Sequence, residues 1–227
     1  FFFFFFDGFA TNKEYALALL NSAKKAGAST LVLCDTNGGV LSSDIYQITK
    51  EVIKNVPGIE IGIHTHNDCD MAVANSIAAV EAGATHIQGT INGMGERCGN
   101  ANLISIIPIL ELKGEGLYPS IPKENLAQLT GVASYVAEIA NIPLFARQPF
   151  VGRSAFAHKG GIHASAVTRK SSLYEHISPD LVGNQQRVLI TALAGRSNII
   201  AMAKRYSFHL DKDEPVVRGL FNDLKEK

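Results

Sequence analysis

The stretch Ile59-Glu60-Ile61-Gly62-Ile63-His64-Thr65-His66-Asn67-Asp68 decides the fold. Its first half is the short apolar run of a buried strand, and its second half ends that strand in a polar loop. Side chains on a strand alternate with period two, so His64 and His66 point the same way at the strand's carboxyl end. Two imidazoles on one face can share a metal ion. Where strands alternate with helices, that end also carries the active site, because the chemistry-bearing loops leave from it. Taken alone, the pair reads equally well as two hydrogen-bonded histidines, since it lacks the third and fourth ligands a metal needs.

A second segment, Asn92-Gly93-Met94-Gly95-Glu96-Arg97-Cys98-Gly99-Asn100, follows the next strand-like run, His86 to Ile91. Its three glycines let a backbone fold tightly over a ligand, and Asn100 closes the loop where its side-chain oxygen can face inward. The plainer alternative makes Asn100 the N-cap of a helix starting near Ala101.

Outward from these segments the organisation is regular. A helical pattern from Lys13 to Ala26 ends at Gly27, and the apolar strand Thr30 to Cys34 leads into the turn Asp35-Thr36-Asn37-Gly38-Gly39. A helix from Ser43 to Asn55 and the Pro57-Gly58 break lead to the strand ending at His64, and a helix of about Ala72 to Ala82 leads to the strand at His86. Ala26-Gly27-Ala28-Ser29-Thr30 with Asn37-Gly38 parallels Ala82-Gly83-Ala84-Thr85 with Asn92-Gly93, an internal repeat. Strands start about every 27 to 30 residues, the length of one strand-helix unit. Continuous apolar strands imply a parallel sheet covered by helices.

Three such units, with the end of a fourth strand at Phe6-Asp7-Gly8-Phe9, predict an α/β fold: the C-terminal half of a (β/α)8 barrel over residues 1–113. The six phenylalanines at the start supply half of the chain's 12 and read as artificial sequence. Past Leu112 the pattern changes, with Gly114-Glu115-Gly116 and prolines 119 and 122 marking a break. Residues 114–227 read as an all-helical linker subdomain, with helices at about Lys123 to Ala140, Ser154 to Lys170, Ser197 to Tyr206 and Glu214 onward. Pro143 to Gly152 is too irregular for a helix.

Composition sets the outer limits. The chain has 227 residues, 46% of them hydrophobic, so it can bury a substantial core. Its 21 basic and 21 acidic side chains leave no positive field for nucleic acid. No segment has the length of a membrane span, Leu103 to Leu112 being broken by Pro108, and the start lacks the basic region and cleavage site of a signal peptide. Cys34, Cys69 and Cys98 form no even-numbered framework, which fits a reducing cytoplasm.

His64-Thr65-His66-Asn67-Asp68 with Ala72-Val73-Ala74-Asn75, followed by Gly93-Met94-Gly95-Glu96-Arg97-Cys98-Gly99-Asn100, resembles the acyltransferases that include 2-isopropylmalate, homocitrate and citramalate synthases. The resemblance runs from Phe6 to the end. It implies a divalent metal (zinc, manganese or magnesium) held by His64, His66 and Asn100, and a 2-oxoacid whose carboxylate meets Thr36. The remaining metal-ligand aspartate, a catalytic arginine and an acidic residue belong to earlier strands, which this sequence does not contain. It also implies acetyl-CoA as co-substrate, with His163 and Tyr174, from the helical region, handling protons in the neighbouring subunit's site of a homodimer with exchanged helical regions. A histidine with a hydroxyl partner suits acid-base work near neutral pH. Without the resemblance, Thr36 reads as a turn hydroxyl satisfying nearby amides. Arg187 and Gly195-Arg196-Ser197-Asn198 read as structural, Ser197 being a plausible N-cap.

Within the family, Asp35-Thr36-Asn37-Gly38-Gly39 and Ala157-His158-Lys159-Gly160-Gly161-Ile162-His163 look like the citramalate-forming members, which join acetyl-CoA to pyruvate in isoleucine biosynthesis. The leucine-pathway members that use 2-oxoisovalerate are the alternative, as is an inactive fragment. The related carbon-carbon lyases carry a cysteine early in the glycine-rich loop. Here that part reads Thr90-Ile91-Asn92-Gly93, which argues against a lyase.

Overall fold

The computed structural model describes residues 2–113, 118–158, 166, 170–189, 195–211 and 213–226, and the chain divides into two compact units, Phe1–Ser120 and Ile121–Lys227. The predicted break at Gly114-Glu115-Gly116 lies outside the described residues.

The first unit is a four-stranded parallel sheet in sequence order: β1 (Phe2–Phe5), β2 (Thr30–Asp35), β3 (Glu60–Thr65) and β4 (His86–Gln88). Helices α1 (Phe6–Thr11) and α2 (Lys13–Lys25) join the first pair, α3 (Ser42–Asn55) and α4 (Ala72–Glu81) join the next two, and α5 (Leu103–Lys113) follows β4. Parallel strands cannot be joined by hairpins, so each connection crosses over as a helix. Four strands wound in this way are half of an eight-stranded barrel, as the spacing predicts.

Local signals set these elements. Asn12 caps α2 by accepting the Tyr15 amide at 3.0 Å, and Gly27, at φ 99°, follows its end. All six residues of β2 are buried, as a strand covered on both faces requires. The alternation in β3 then separates two environments. Ile61 and Ile63 join Leu31, Leu33, Ile45 and Val52 in the core shared with the helices, and Thr65 donates to the Ala72 carbonyl at 2.9 Å. Gly62 and His64 point to the other face, in register with Val32 and Cys34 on β2 and with His86 and Gln88 on β4. That face is closely packed at Gly62, where an added Cβ would lie 2.9 Å from the His86 ring and 3.2 Å from Val32.

Several expectations are corrected. Phe6-Asp7-Gly8-Phe9 is not the tail of a strand. It lies in α1, and the strand is formed by Phe2–Phe5, paired with Leu31 to Cys34. The strand predicted over His86 to Ile91 stops at Gln88, because at Gly89 the chain is crossed by other backbone: a Cβ there would sit 2.4 Å from the Ala101 carbonyl oxygen. Asn100 does not cap the next helix. α5 starts at Leu103, and Asn102 accepts the Ile104 amide at 3.0 Å. Pro108 does not break the run either, since α5 continues through it at the cost of one backbone donor. Even so, no helix among the described residues is long and apolar enough to cross a membrane.

The second unit is mainly helical: a 3-10 turn over Lys123–Gln128, α6 (Leu129–Ile139), a 3-10 turn over Pro179–Val182, α7 (Arg196–Arg205) and α8 (Pro215–Glu226). It is not all helical, because β5 (Ala157–His158) pairs in parallel with β6 (Arg187–Val188). The helix predicted from Ser154 to Lys170 therefore does not form over Ser154 to His158; residues 159–165 and 167–169 lie outside the described ones. Pro143 to Gly152 is irregular, as predicted. Buried Asn184 donates to the carbonyls of Phe150 and Gly152 at 2.9 and 3.1 Å and accepts from Arg187 at 3.2 Å, a packing role for Arg187. The N-cap of α7 is Gly195 in place of Ser197, and its amide donates to Oδ1 of Asn198, three residues on, at 3.0 Å.

Candidate metal centre

His64 closes β3 on its inner face and His66 follows one step beyond the strand. Their Nε2 atoms lie 3.4 Å apart, with ring planes inclined by 67°. Two nitrogens bound to one ion at about 2.1 Å stand about 3.0 to 3.4 Å apart for angles between octahedral and tetrahedral. The observed separation sits at the upper end of that window and is long for a hydrogen bond between the rings.

Asn100 completes the approach. It forms an isolated antiparallel bridge with His66, so the two side chains leave the same face. Its Nδ2 donates to the Met94 carbonyl at 3.2 Å, which turns Oδ1 the other way. The loop is built for this. A Cβ at Gly95 would meet Asn100 Nδ2 at 2.2 Å, and one at Gly99 (φ 93°) would meet the Gly93 carbonyl oxygen at 2.0 Å.

Three atoms of this group, Nδ1 of His64, Nδ1 of His66 and Oδ1 of Asn100, are buried without a hydrogen-bond partner. Buried polar atoms are almost always satisfied, so the orphaned Asn100 Oδ1 is an acceptor open to a further partner, while the two Nδ1 atoms are the ring nitrogens remote from the Nε2 pair. Burial first, and then the neighbouring His66, push the His64 pKa down, against a smaller upward pull from Gln88; the ring is neutral at physiological pH and keeps a lone pair to offer. Neutral nitrogens with an amide oxygen fit a borderline divalent ion. Among the described residues no group of three or more His, Cys, Asp or Glu side chains converges to hold a metal ion.

Thr36 begins the neighbouring loop, and its main-chain carbonyl accepts from Arg97 Nη2 at 2.6 Å. The turn's own amides, those of Gly38, Gly39 and Val40, are directed at Asp35, whose carboxyl is buried at 1% exposure and raised in pKa by desolvation despite them. Arg97 also grips Asp68 with two bonds, 2.8 Å to Oδ1 and 3.0 Å to Oδ2. That grip is absent from the sequence reading, although an arginine among three glycines and an aspartate two residues past His66 were its available signals.

In the second unit, Tyr174 is 47% exposed. Its neighbour Glu175 is buried, accepting from Gln186 at 2.9 Å and lying 3.0 Å from His158 Nε2, with its second oxygen unpartnered. This pair is likewise absent from the sequence reading. His163 lies outside the described residues.

The HMGL-like family matches residues 2–136, and the homocitrate synthase post-HMGL domain-like family matches residues 150–227. The chain belongs to the HMGL-like family. Among its relatives, the (R)-citramalate synthase of Aquifex aeolicus (strain VF5) is 53% identical over 222 residues, covering 98% of this chain and 42% of that protein. That of Geobacter sulfurreducens is 48% identical over 222 residues, with the same coverage of 98% and 42%. The 2-isopropylmalate synthase of Bradyrhizobium sp. (strain ORS 278) is 37% identical over 187 residues, covering 81% of this chain and 35% of that protein. The chain thus spans about two fifths of the length of these HMGL-like relatives, 42% in the first case. In fold it resembles the HMG-CoA lyase of Bacillus subtilis, with a TM-score of 0.51 and 24% identity over 60% of this chain and 46% of that one.

Proposed function

We propose that this chain is part of a citramalate synthase, in which the methyl carbon of acetyl-CoA is joined to the keto carbon of pyruvate and thioester hydrolysis then releases CoA. One observation carries the choice of acceptor: the citramalate synthases are 44 to 53% identical over nearly the whole chain, whereas the isopropylmalate synthases are 32 to 37% identical.

His64, His66 and Asn100 would hold the divalent ion, together with a carboxylate from outside this sequence. Such an ion supplies Lewis-acid polarisation of a 2-oxoacid's keto group. Thr36 is the residue we assign to the substrate carboxylate, through its hydroxyl, since it stands in the loop that follows β2 at the carboxyl end of the sheet. His163 and Tyr174 are assigned to proton transfer. The exposed Tyr174 ring, standing on the buried Glu175, fits a side chain that works outside its own unit. We assign the working protein to a cytoplasmic enzyme of branched-chain amino-acid synthesis.

Two measurements test this reading in the full-length protein. Release of CoA followed with a thiol reagent is expected to give kcat/KM for pyruvate at least about tenfold above that for 2-oxoisovalerate, the range a few extra methyl groups command in a fitted pocket. A higher value with 2-oxoisovalerate makes the protein an isopropylmalate synthase. The second test addresses the proposed homodimer, in which His163 and Tyr174 act on the partner subunit's site, an arrangement that two-fold exchange of a segment supplies readily. His66→Ala protein mixed with His163→Ala protein should regain part of the wild-type rate, because mixed dimers contain one intact composite site. Proven heterodimers as inactive as either parent would place these residues in cis.

A further inference from the structure

One guanidinium ties together three loops at the carboxyl end of the sheet. Arg97 stands three residues before Asn100. Its Nε and Nη2 hold both oxygens of Asp68, two residues past His66, and Nη2 also reaches the carbonyl of Thr36, at the end of β2. The three loops involved are those carrying the amide ligand, the histidine pair and the threonine. The fit extends to Gly38, at φ 67°, where a Cβ would lie 2.5 Å from Asp68 Oδ2, so the turn after Thr36 leaves room for the gripped carboxylate.

The grip is poorly explained as a stabilising ion pair. Its side chains are 44% and 23% exposed, and exposed pairs contribute little to stability. Arg97 also takes a left-handed backbone, φ 54°, which costs a non-glycine residue and works against whatever the pair contributes. Backbone bonds already join these loops, from His66 N to the Asp35 carbonyl and from Asn67 N to the Gly99 carbonyl, both 3.0 Å. What they do not hold is Thr36 itself. The planar fork of arginine, able to serve a carboxylate and a carbonyl together, supplies that restraint.

We propose that Arg97 is a positioning residue for 2-oxoacid binding: through Asp68 and the Thr36 carbonyl it sets where the Thr36 hydroxyl stands relative to the histidine pair. The proposal rests on the citramalate synthase reading for its ligand, and on the contacts of Arg97 for its geometry. Arg97, committed to two partners, does not itself contact the substrate.

The test uses the full-length protein with Arg97→Ala, Arg97→Lys, Asp68→Ala and Asp68→Asn. Arg97→Ala and Asp68→Ala are each expected to raise the KM for pyruvate about tenfold or more, the scale on which residues that orient ligand groups act. KM for acetyl-CoA and bound metal should stay within about twofold, and the double variant should be no worse than Arg97→Ala alone, since removing the guanidinium already removes its bonds to Asp68 and to Thr36. Arg97→Lys should fall between, because an ammonium reaches one partner at a time. If an alanine variant fails to fold, Arg97→Lys and Asp68→Asn carry the comparison. An unchanged pyruvate KM, or equal increases for both substrates, overturns the proposal. So does a lower pyruvate KM in Asp68→Ala, which would mean that the freed Arg97 binds substrate directly. If the wild-type protein condenses neither oxoacid, the functional reading fails and amide hydrogen exchange decides the geometry. Faster exchange over residues 36–40 in Arg97→Ala then upholds the clamp, and unchanged exchange removes it.

Discussion

In the full-length protein, His66→Ala is expected to lose most of its bound metal and about a thousandfold in turnover. That factor corresponds to about 4 kcal/mol of transition-state stabilisation, within what a Lewis acid at a keto oxygen provides. The expectation follows from the two Nε2 atoms 3.4 Å apart and from the orphaned Oδ1 of Asn100. Removing one ring leaves a single nitrogen and an amide oxygen from this chain, too few donors to retain a borderline ion. Elemental analysis of purified protein reads the metal, and CoA release reads the rate. Full metal content in His66→Ala would remove the assignment, and an unchanged thermal midpoint in the metal-free state would show that the loss is local.

The second large effect concerns a residue with no side chain. Gly95→Ala is expected to weaken metal binding about 10- to 100-fold, as losing the support of a ligand does. The added Cβ would overlap Asn100 Nδ2 at 2.2 Å and Cγ at 2.8 Å. The nearest atoms in its way belong to the Asn100 side chain, with the Asn100 backbone nitrogen next at 3.2 Å, so the amide is the group displaced. Titration of metal-free protein with zinc or manganese should show the weakening, with far-ultraviolet dichroism unchanged. Wild-type affinity would mean that Asn100 is not a ligand.

The parts of the fold legible in the sequence are those governed by neighbours along the chain. Buried strands such as Thr30 to Asp35 announce themselves as apolar runs, and Gly27 and Gly83 announce helix ends with φ of 99° and 111°. The histidine pair was readable because period two places both rings on one face, and the Asn100 loop because glycines concentrate there. What escaped depends on partners remote in sequence. β4 ends early because Ala101 crosses Gly89, and the β5 and β6 pair joins segments whose two residues each carry no strand signal. The Arg97 to Asp68 grip spans 29 positions, and the burial of Glu175 against His158 spans 17. A pattern of local periods contains neither.

The small β5 and β6 ladder has a consequence for how this region is inherited. Ala157 and His158 lie beside Arg187 and Val188, so the chain returns roughly 30 residues later to the place it left. In sequence both His163 and Tyr174 lie within that span, and Glu175 is joined to His158 and Gln186, next to its two ends. Closing a longer loop costs little more entropy than closing a shorter one. Evolution can therefore lengthen, shorten or replace this cassette as one piece while its two-residue root stays in place, and both proton-handling candidates travel with it.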